Sequence, residues 1–461
     1  MKSKTSIDMT SGPLLGKILL FSLPLMASNI LQLLFNAADV VVVGRFAGHA
    51  SLAAVGSTTS VISLFTTLLV GLSVGVNVLI AKYIGVGKCQ REISLALHTA
   101  IALALISGVL LGISGILAAE WMLGIIAVPE DVYGLALLYV RLYFLGTPAV
   151  MLYNYGAAAL RATGDTQRPL LFLLVSGVVN VALNMCFVII WQMDVAGVAL
   201  ATVISHYLSA ALVLLCLCRA RDELHLSWRK LCLDRQSLVQ MARVGIPAGV
   251  QNCLFSLSNV AIQSAINSYS SEIIAGCSAA ASIESFLYVS MNAFHHACQT
   301  FASQNMGAGR HERIGPTVRI CLLCTVILGL CQSVIVALFS HQLVSIYNQD
   351  PAVIQAGAER LMLVGTLYVI YGVADVLIGA IRGCGIPVAP VVINLLGTCV
   401  FRLVWVALLD TSVMGVEWVN LSYPASWLAI TIALTVFWCR MRRKIVGQAA
   451  LSEPNAPESV C

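Results

Sequence analysis

Runs of about 20 apolar residues recur along this chain, and a run of that length is what an α-helix needs to cross the hydrocarbon core of a membrane. Charged residues make up only 10% of the 461 residues, whereas they make up about a quarter of a soluble domain. The sequence therefore predicts an all-α membrane protein with twelve transmembrane helices. The twelve windows fall near 14–43, 53–80, 95–119, 134–156, 168–190, 197–218, 238–265, 274–301, 317–339, 356–380, 388–410 and 418–438.

Positive charges favour one side of these windows. With the N-terminus in the cytoplasm, Lys and Arg collect in the inner loops, with four exceptions: Arg45, Arg141, Arg360 and Arg402. Because cytoplasmic loops are enriched in basic residues, we expect a multi-pass protein of the cytoplasmic (inner) membrane with both termini inside.

The two halves of the chain resemble each other. "LLFSLPLMASNI" (19–30) aligns with "ARVGIPAGVQNC" (242–253), and "LRATGDTQRP" aligns with "IRGCGIPVAP" at a nearly equal offset. Each half holds six windows, so both enter from the same membrane side, and we expect two six-helix bundles related by a pseudo-two-fold axis along the membrane normal, with a cavity between them. The predicted divisions are an N-terminal bundle 1–218, a cytoplasmic linker 219–237, a C-terminal bundle 238–440 and a cytoplasmic tail 441–461.

Polar side chains recur at steps of three and four residues inside several windows, which places each set on one helix face. Such residues either hydrogen-bond helix to helix or face a hydrated pathway, and the number of stripes favours a substrate cavity. The stripes include Gln32, Asn36 and Asp39; Asn180 and Asn184; Asn252, Ser256 and Asn259; and Tyr288 and Asn292.

Four ionisable residues lie deep in the windows: Asp39, Glu284, Asp375 and Arg402. A lone charge at the bilayer centre costs about 2.5–3.5 kcal/mol, so such residues are functional by default. Asp39 can bind and release a proton or, with neighbouring oxygens, hold Na⁺. Arg402 is interpreted as the structural counter-charge of Glu284 or Asp375, and all four are assigned to the substrate cavity or to coupling.

The sequence indicates an ion gradient as the energy source. A phosphate-binding G-x-x-x-x-G-K-[ST] motif does not occur, and no cytoplasmic segment is long enough for a nucleotide-binding domain. The fifteen cysteines lie mostly in apolar runs and indicate packing rather than a metal or redox site. We therefore expect a monomer that is no enzyme, takes no cofactor beyond H⁺ or Na⁺ as coupling ion, and binds a small cationic or amphipathic molecule and the bilayer rather than nucleic acid.

The segments "FSLP", "NAADVVVVGRFAG", "LRATGDTQRP", "ASQNMGAGR" and "IRGCGIP" together resemble the multidrug and toxic compound extrusion (MATE) family, bacterial type, over residues 10–440. The resemblance implies export of drugs or organic cations against H⁺ or Na⁺ by alternating access. It assigns cation coupling to Asp39, Asn180, Asn184 and Thr202, with Na⁺ as one candidate ion at the first three, and a hinge in the first helix to Pro24. Some members carry a second aspartate where Asn184 stands, so this chain has one carboxylate fewer.

Two functions are weighed. The first is a cation-coupled exporter of xenobiotics, and the alternative is a flippase for a lipid-linked precursor, found in the same superfamily. A flippase needs a strongly cationic cavity to hold pyrophosphate, whereas the deep residues here are mainly Asn, Ser, Gln and acids. The exporter is therefore favoured.

Overall fold

The computed structural model describes residues 6–87, 90–126, 128–220, 223–408 and 414–451, and within these ranges the regular secondary structure is helical. The first half contains α1 (Leu14–Val42), α2 (Gly48–Val86), α3 (Gln90–Ile125), α4 (Glu130–Leu145), α5 (Thr147–Ala162), α6 (Gln167–Asn184) and α7 (Asp194–Arg219). The second half contains α8 (Arg235–Ile266), α9 (Ser271–Gly307), α10 (Ile314–Ser345), α11 (Pro351–Arg360), α12 (Tyr368–Gly383), α13 (Val388–Asn394), α14 (Phe401–Leu408) and α15 (Val416–Leu451).

Four short π-helices continue some of these α-helices without a break in the chain. They are π1 (Val43–Ala47) after α1, π2 (Met185–Ile190) after α6, π3 (Leu361–Gly365) after α11 and π4 (Leu395–Val400) after α13. They were not predicted from the sequence, because one extra residue in a helical turn leaves almost no trace in hydropathy. Helix α1, in contrast, continues through the predicted hinge Pro24 as one α-helix.

The predicted membrane helices are all present. Nine helical segments in the described ranges are long and apolar enough to cross a membrane, and two bent pairs, α4 with α5 (42°) and α11–π3 with α12 (43°), raise the count to eleven. The bend between α4 and α5 lies next to Pro148, whose ring cannot donate a backbone hydrogen bond. The twelfth predicted helix is α8, which is 32 residues long; its Asn, Gln and Ser residues make it less apolar than the nine long segments.

The contacts divide the chain into two compact units. The N-terminal unit contains the chain up to Asp8 and Ala27–Gly249, and the C-terminal unit contains Met9–Met26 and the chain from Val250 onward. One division lies before α1, and the other two lie inside α1 and α8. The bundle boundaries drawn from the sequence repeat, 1–218 and 238–440, remain a prediction, since the repeat and the packing are different criteria.

The linker after α7 is attached to α3 by hydrogen bonds. The Ser227 backbone N–H donates to His98 Nε2 (3.0 Å), and the Asp234 backbone N–H donates to Thr99 Oγ1 (3.0 Å). Asp234 also caps α8, because its Oδ2 accepts from the Ser237 backbone N–H at 2.7 Å. This hydrogen bond lowers the pKa of the Asp234 carboxyl below its ordinary value. Residues 221–222 of the predicted linker lie outside the described residues.

The predicted tail begins as helix. Helix α15 extends to Leu451, so the first part of 441–461 is a continuation of the last membrane helix. Residues 452–461 lie outside the described residues.

Candidate functional site

Four residues predicted to couple the ion come together in the N-terminal unit. Asn184 Nδ2 donates to Asp39 Oδ1 at 2.5 Å, and the Thr202 hydroxyl donates to Asp39 Oδ2 at 3.4 Å. Asn180 closes the ring: its Oδ1 accepts from Asn184 Nδ2 (3.3 Å) and its Nδ2 donates to Thr202 Oγ1 (3.5 Å). Both oxygens of the Asp39 carboxyl are therefore held by neutral donors from α6 and α7.

A glycine brings α1 and α6 close enough for this network. Position 177 has no room for a side chain, since a Cβ on Gly177 would lie 1.9 Å from Cε2 of Phe35. The ring of Phe35, one turn before Asp39 on α1, therefore packs directly on the α6 backbone. Asn180 and Asn184 follow Gly177 at three- and four-residue steps and so stand on the face that α1 approaches.

Two π-helical turns border the site. Helix α1 passes into π1 four residues after Asp39, and α6 passes into π2 directly after Asn184. Val43 of π1 and Val188 of π2 belong to one buried apolar cluster. Single π turns inside α-helices occur frequently at functional sites, and here they close one end of the polar network with aliphatic side chains.

A cavity of about 290 Å³ opens beside Asp39. Gln32 and Asn36, which the sequence assigns to a substrate cavity, line it together with Asp39, Asn180 and Thr202. Aromatic rings contribute a large share of the wall, and Lys and Arg do not occur among the described residues that line it. The remaining polar and aromatic lining residues are Phe35, Tyr139, Tyr143, Tyr153, Asn154, Ser176, Ser205, His206 and Ser209.

The donor set fits a hard cation only after one side chain turns. Asp39, Asn180, Asn184 and Thr202 all offer oxygen, the ligand that Na⁺ shares with Ca²⁺ and Mg²⁺. Asn184, however, presents its Nδ2 to the carboxyl, and its buried Oδ1 has no hydrogen-bond partner in the described part of the chain. A half-turn of this amide would present that oxygen to a cation, whereas the arrangement as it stands suits a carboxyl that exchanges a proton.

The polar stripe predicted on the seventh helix lies in the C-terminal unit and does not line this cavity. Asn252 and Ser256 are exposed on α8, and Ser256 Oγ donates to the Asn252 carbonyl of its own helix at 3.1 Å. Asn259 is half-buried, and its Oδ1 has no hydrogen-bond partner among the described residues. Their assignment to a substrate cavity remains a prediction.

Glu284 and Arg360 form a buried ion pair in the C-terminal unit. Arg360 Nε and Nη2 donate to the two carboxylate oxygens of Glu284 at 2.9 and 3.0 Å, and Nη1 donates to Asn420 Oδ1 at 3.3 Å. Arg360 was not among the deep residues predicted from the sequence. Arg360 is, however, one of the four basic residues that lie outside the predicted inner loops, and this position could have indicated that it is buried in the membrane.

Asp375 pairs with a histidine rather than with an arginine. His295 Nδ1 lies 3.0 Å from Asp375 Oδ1 and 2.7 Å from the Asp375 carbonyl oxygen. Asn292 Nδ2 donates to Asp375 Oδ2 at 3.0 Å and also to the Tyr288 hydroxyl at 3.3 Å. Tyr288, Asn292 and Asp375, predicted separately, therefore form one network in the C-terminal unit.

The predicted role of Arg402 is wrong, because Glu284 and Asp375 both have other partners. Arg402 is fully buried, donates from Nε to Ser426 Oγ at 2.8 Å, and lies 4.4 Å from the centre of the Tyr423 ring. Its Nη1 and Nη2 have no hydrogen-bond partner within the described residues. Sequence places a residue at a depth on its helix, but the direction in which the side chain points depends on packing.

Comparisons with known proteins agree with this fold. The probable multidrug resistance protein YoeA of Bacillus subtilis is 27% identical over 82% of this chain and 82% of its own length. The FAD transporter of Shewanella oneidensis is 24% identical over 91% of this chain and 93% of its own length. A crystal structure of MATE in complex with MaD3S matches with a TM-score of 0.90, at 20% identity, over 97% of this chain and 100% of that one; at this identity the match bears on the fold.

The family model described as MatE matches residues 24–186 and again residues 247–408. The two matched segments cover both members of the internal repeat and include Asp39, Asn180 and Asn184. Together with the helical membrane fold of the described residues and the structural match, they show that this chain belongs to the MatE (multidrug and toxic compound extrusion) family of multi-pass membrane transporters.

Proposed function

We propose that this chain is a secondary active antiporter that exports organic cations or drugs in exchange for H⁺ or Na⁺. The observation that carries the proposal is the Asp39 carboxyl, held only by neutral donors and facing a cavity. An acid with no fixed cationic partner can take up H⁺ or Na⁺ from one side of the membrane and release it on the other.

The cavity suits an organic cation. Three tyrosine rings and Phe35 offer π faces that attract a cationic ring system, and the Asp39 carboxylate supplies the one full negative charge among the described lining residues. Since Lys and Arg do not occur among those residues, the cavity is a poor match for pyrophosphate, which argues against the lipid-precursor flippase. One similar protein is named a probable multidrug resistance protein, which supports drugs as the cargo.

The cycle proposed here is alternating access in the cytoplasmic membrane, with both termini inside. Ion binding at Asp39 weakens the hold on the cargo, and the cargo leaves on the outer side. Release of the ion on the inner side restores the negative charge for the next cargo molecule. Exchange of one monovalent ion for one monovalent cationic cargo molecule moves no net charge, so the concentration gradient of the ion drives it. A neutral cargo would also draw on the membrane potential, which supplies about 2.3 kcal/mol per charge at 100 mV.

The test is ethidium transport by the purified protein in proteoliposomes, with a pH gradient and a Na⁺ gradient imposed separately. We expect one of the two gradients to drive ethidium movement, and we expect Asp39→Asn to abolish it. Asp131→Asn is the matched control, because it removes the same charge at an exposed position in the first turn of α4. Undiminished transport by the Asp39 variant, or equal loss in the Asp131 variant, would contradict the assignment.

A further inference from the structure

The linker between α7 and α8 is fixed to the N-terminal unit along one of its faces. Leu224 and Leu226 are buried in the apolar core of that unit, and Leu231 packs against the same core. The Leu226 backbone N–H donates to the Leu217 carbonyl of α7 at 3.0 Å, which adds to the two hydrogen bonds that the linker makes to α3. The opposite face of the linker is therefore held in a fixed place.

This outer face, residues 228–235, carries apolar and basic side chains together and is called the linker surface below. Trp228 is 52% exposed and Leu233 is 50% exposed. Arg229, Lys230 and Arg235 are exposed as well, and within the described part of the chain they form no ion pair. Large exposed apolar side chains in one patch commonly mark a contact with a partner or a membrane.

The charge of the linker surface selects an anionic partner. Its one acid, Asp234, is already used by the fold, because its carboxylate accepts from the Ser237 backbone N–H at the start of α8. With three basic residues and one acid, the linker surface carries two net positive charges at neutral pH. The three basic side chains are thus free to meet negative groups outside the protein.

The linker surface lies where α3 enters the predicted membrane window. The linker residues at its two ends bond to His98 and Thr99 of α3, whereas α3 begins at Gln90 and the window begins at residue 95. At 1.5 Å per residue, His98 lies about 12 Å along the helix from Gln90 and about 5 Å inside the window. The linker therefore lies beside the first turns of α3, at the depth of the lipid headgroups, where tryptophan is enriched in membrane proteins.

We propose that the linker surface binds the headgroups of anionic phospholipids. Trp228 and Leu233 lie among the upper parts of the acyl chains, and the three basic side chains meet the phosphates. Basic residues next to a membrane helix attract anionic lipids, and the planar guanidinium of arginine suits a phosphate. The depth of the surface favours a lipid over a soluble acidic protein, because its apolar side chains lie at the level of the bilayer.

The experiment places the purified full-length protein in lipid discs of about 80% phosphatidylcholine and about 20% phosphatidylglycerol, the anionic component. Bromine, which quenches tryptophan fluorescence on contact, is carried either by the phosphatidylglycerol or by an equal amount of the phosphatidylcholine, so the charge of the membrane stays the same. The difference between the wild type and Trp228→Phe gives the quenching of Trp228. We expect brominated phosphatidylglycerol to quench Trp228 at least about twofold more strongly than brominated phosphatidylcholine, because basic residues enrich anionic lipid beside them.

The double variant Arg229→Gln, Lys230→Gln should lose this preference, so that the two brominated lipids quench Trp228 equally. The matched control removes two exposed basic residues from the last part of α15, Arg443→Gln and Lys444→Gln, and should keep the preference. An equal loss in both double variants would overturn the proposal, since it would show that the overall charge of the protein selects the lipid.

A second reporter on the same surface is Leu233→Trp in the Trp228→Phe background, and it should show the same preference. Equal quenching by the two lipids at both positions would contradict the proposal, because the surface would then touch lipid without selecting a headgroup. Absence of quenching by either lipid would also overturn it, by showing that the surface lies outside the bilayer. In each case the antiporter assignment would stand, because it depends on Asp39 and not on the linker.

Discussion

In the N-terminal unit the Asp39 carboxyl faces a cavity and meets only neutral donors, whereas in the C-terminal unit Glu284 and Asp375 meet Arg360 and His295. The acids of the second unit are thus already satisfied by the protein. Of these three acids, Asp39 is the one held only by neutral donors in the described residues, so an external cation can neutralise its charge.

The internal repeat explains how this difference arose without a change of fold. Pro24 and Asn36 have second-half counterparts in Pro247 and Asn259, so the helix and part of its polar stripe are shared. Asp39, in contrast, falls opposite Ile262, which is buried in an apolar cluster. The two halves of the repeat share this framework and differ in whether they carry an available charge, so the proposed mechanism needs a coupling acid in only one half.

The largest effect on stability is expected for Arg360→Ala. The substitution leaves the buried Glu284 carboxylate without its partner, and loss of one member of a buried pair costs about 3–5 kcal/mol. The loss is measured as the change in the free energy of unfolding of the purified protein in detergent. Arg141→Ala is the control, since Arg141 and Glu120 form an exposed pair whose loss costs about 1 kcal/mol or less.

The double variant Glu284→Leu, Arg360→Met tests the same pair in another way. Removing both charges leaves no unpaired ion, so most of the lost stability should return. A double variant as unstable as Arg360→Ala would contradict the explanation by charge pairing and would point to packing.

A smaller effect is expected for His295→Ala. Asp375 then loses its imidazole neighbour but keeps the hydrogen bond from Asn292 Nδ2, so we expect a loss of about 1.5–3 kcal/mol in the free energy of unfolding, typical of a hydrogen bond to a charged group. His341→Ala, at an exposed position, should change stability by about 0.5 kcal/mol or less. Equal effects at the two positions would contradict the claim that Asp375 is held by His295.

Arg402→Met should change stability by only about 1.5 kcal/mol in either direction. The substitution removes the cation–π contact with Tyr423, worth about 2 kcal/mol when desolvated, but it also removes two buried nitrogens that have no hydrogen-bond partner in the described residues. The substitution leaves no carboxylate unpaired, because Glu284 and Asp375 pair with Arg360 and His295. A loss as large as that of Arg360→Ala, in the same unfolding experiment, would show that Arg402 does serve as a counter-charge.

The smallest effect on stability is expected for Asp39→Asn, within about 1 kcal/mol. Asparagine keeps an oxygen that can accept from the Thr202 hydroxyl, and the change leaves no charge unpaired. The same variant is expected to lose transport completely, so function and stability should separate at this residue. A loss of stability comparable to that of Arg360→Ala would remove the contrast between the two units.

The helices and the cluster formed by Asp39, Asn180, Asn184 and Thr202 could be predicted from the sequence, but the ion pairs could not; the function of the cluster remains a prediction. Apolar runs determine where helices cross the membrane, and the fixed step of four residues brings Asn180 and Asn184 to one face. Asp39 and Thr202 joined them through a family resemblance, which carries three-dimensional information that spacing lacks. The partner of Glu284 required knowledge of which helix faces meet, and that is set by packing between α9 and α11.

The π turns that follow Asp39 and Asn184 have a mechanical consequence. A π turn holds one more residue than an α turn, and each residue advances the helix by about 100°, so shifting such a turn along the helix rotates the segment it passes while every backbone hydrogen bond finds a new acceptor. Helices α1 and α6 can therefore rotate next to the Asp39 network without losing their backbone hydrogen bonds. A single-residue deletion within π2 would convert it to an ordinary α turn and remove this freedom next to Asn184. The backbone, as well as the side chains, therefore sets the geometry of the network.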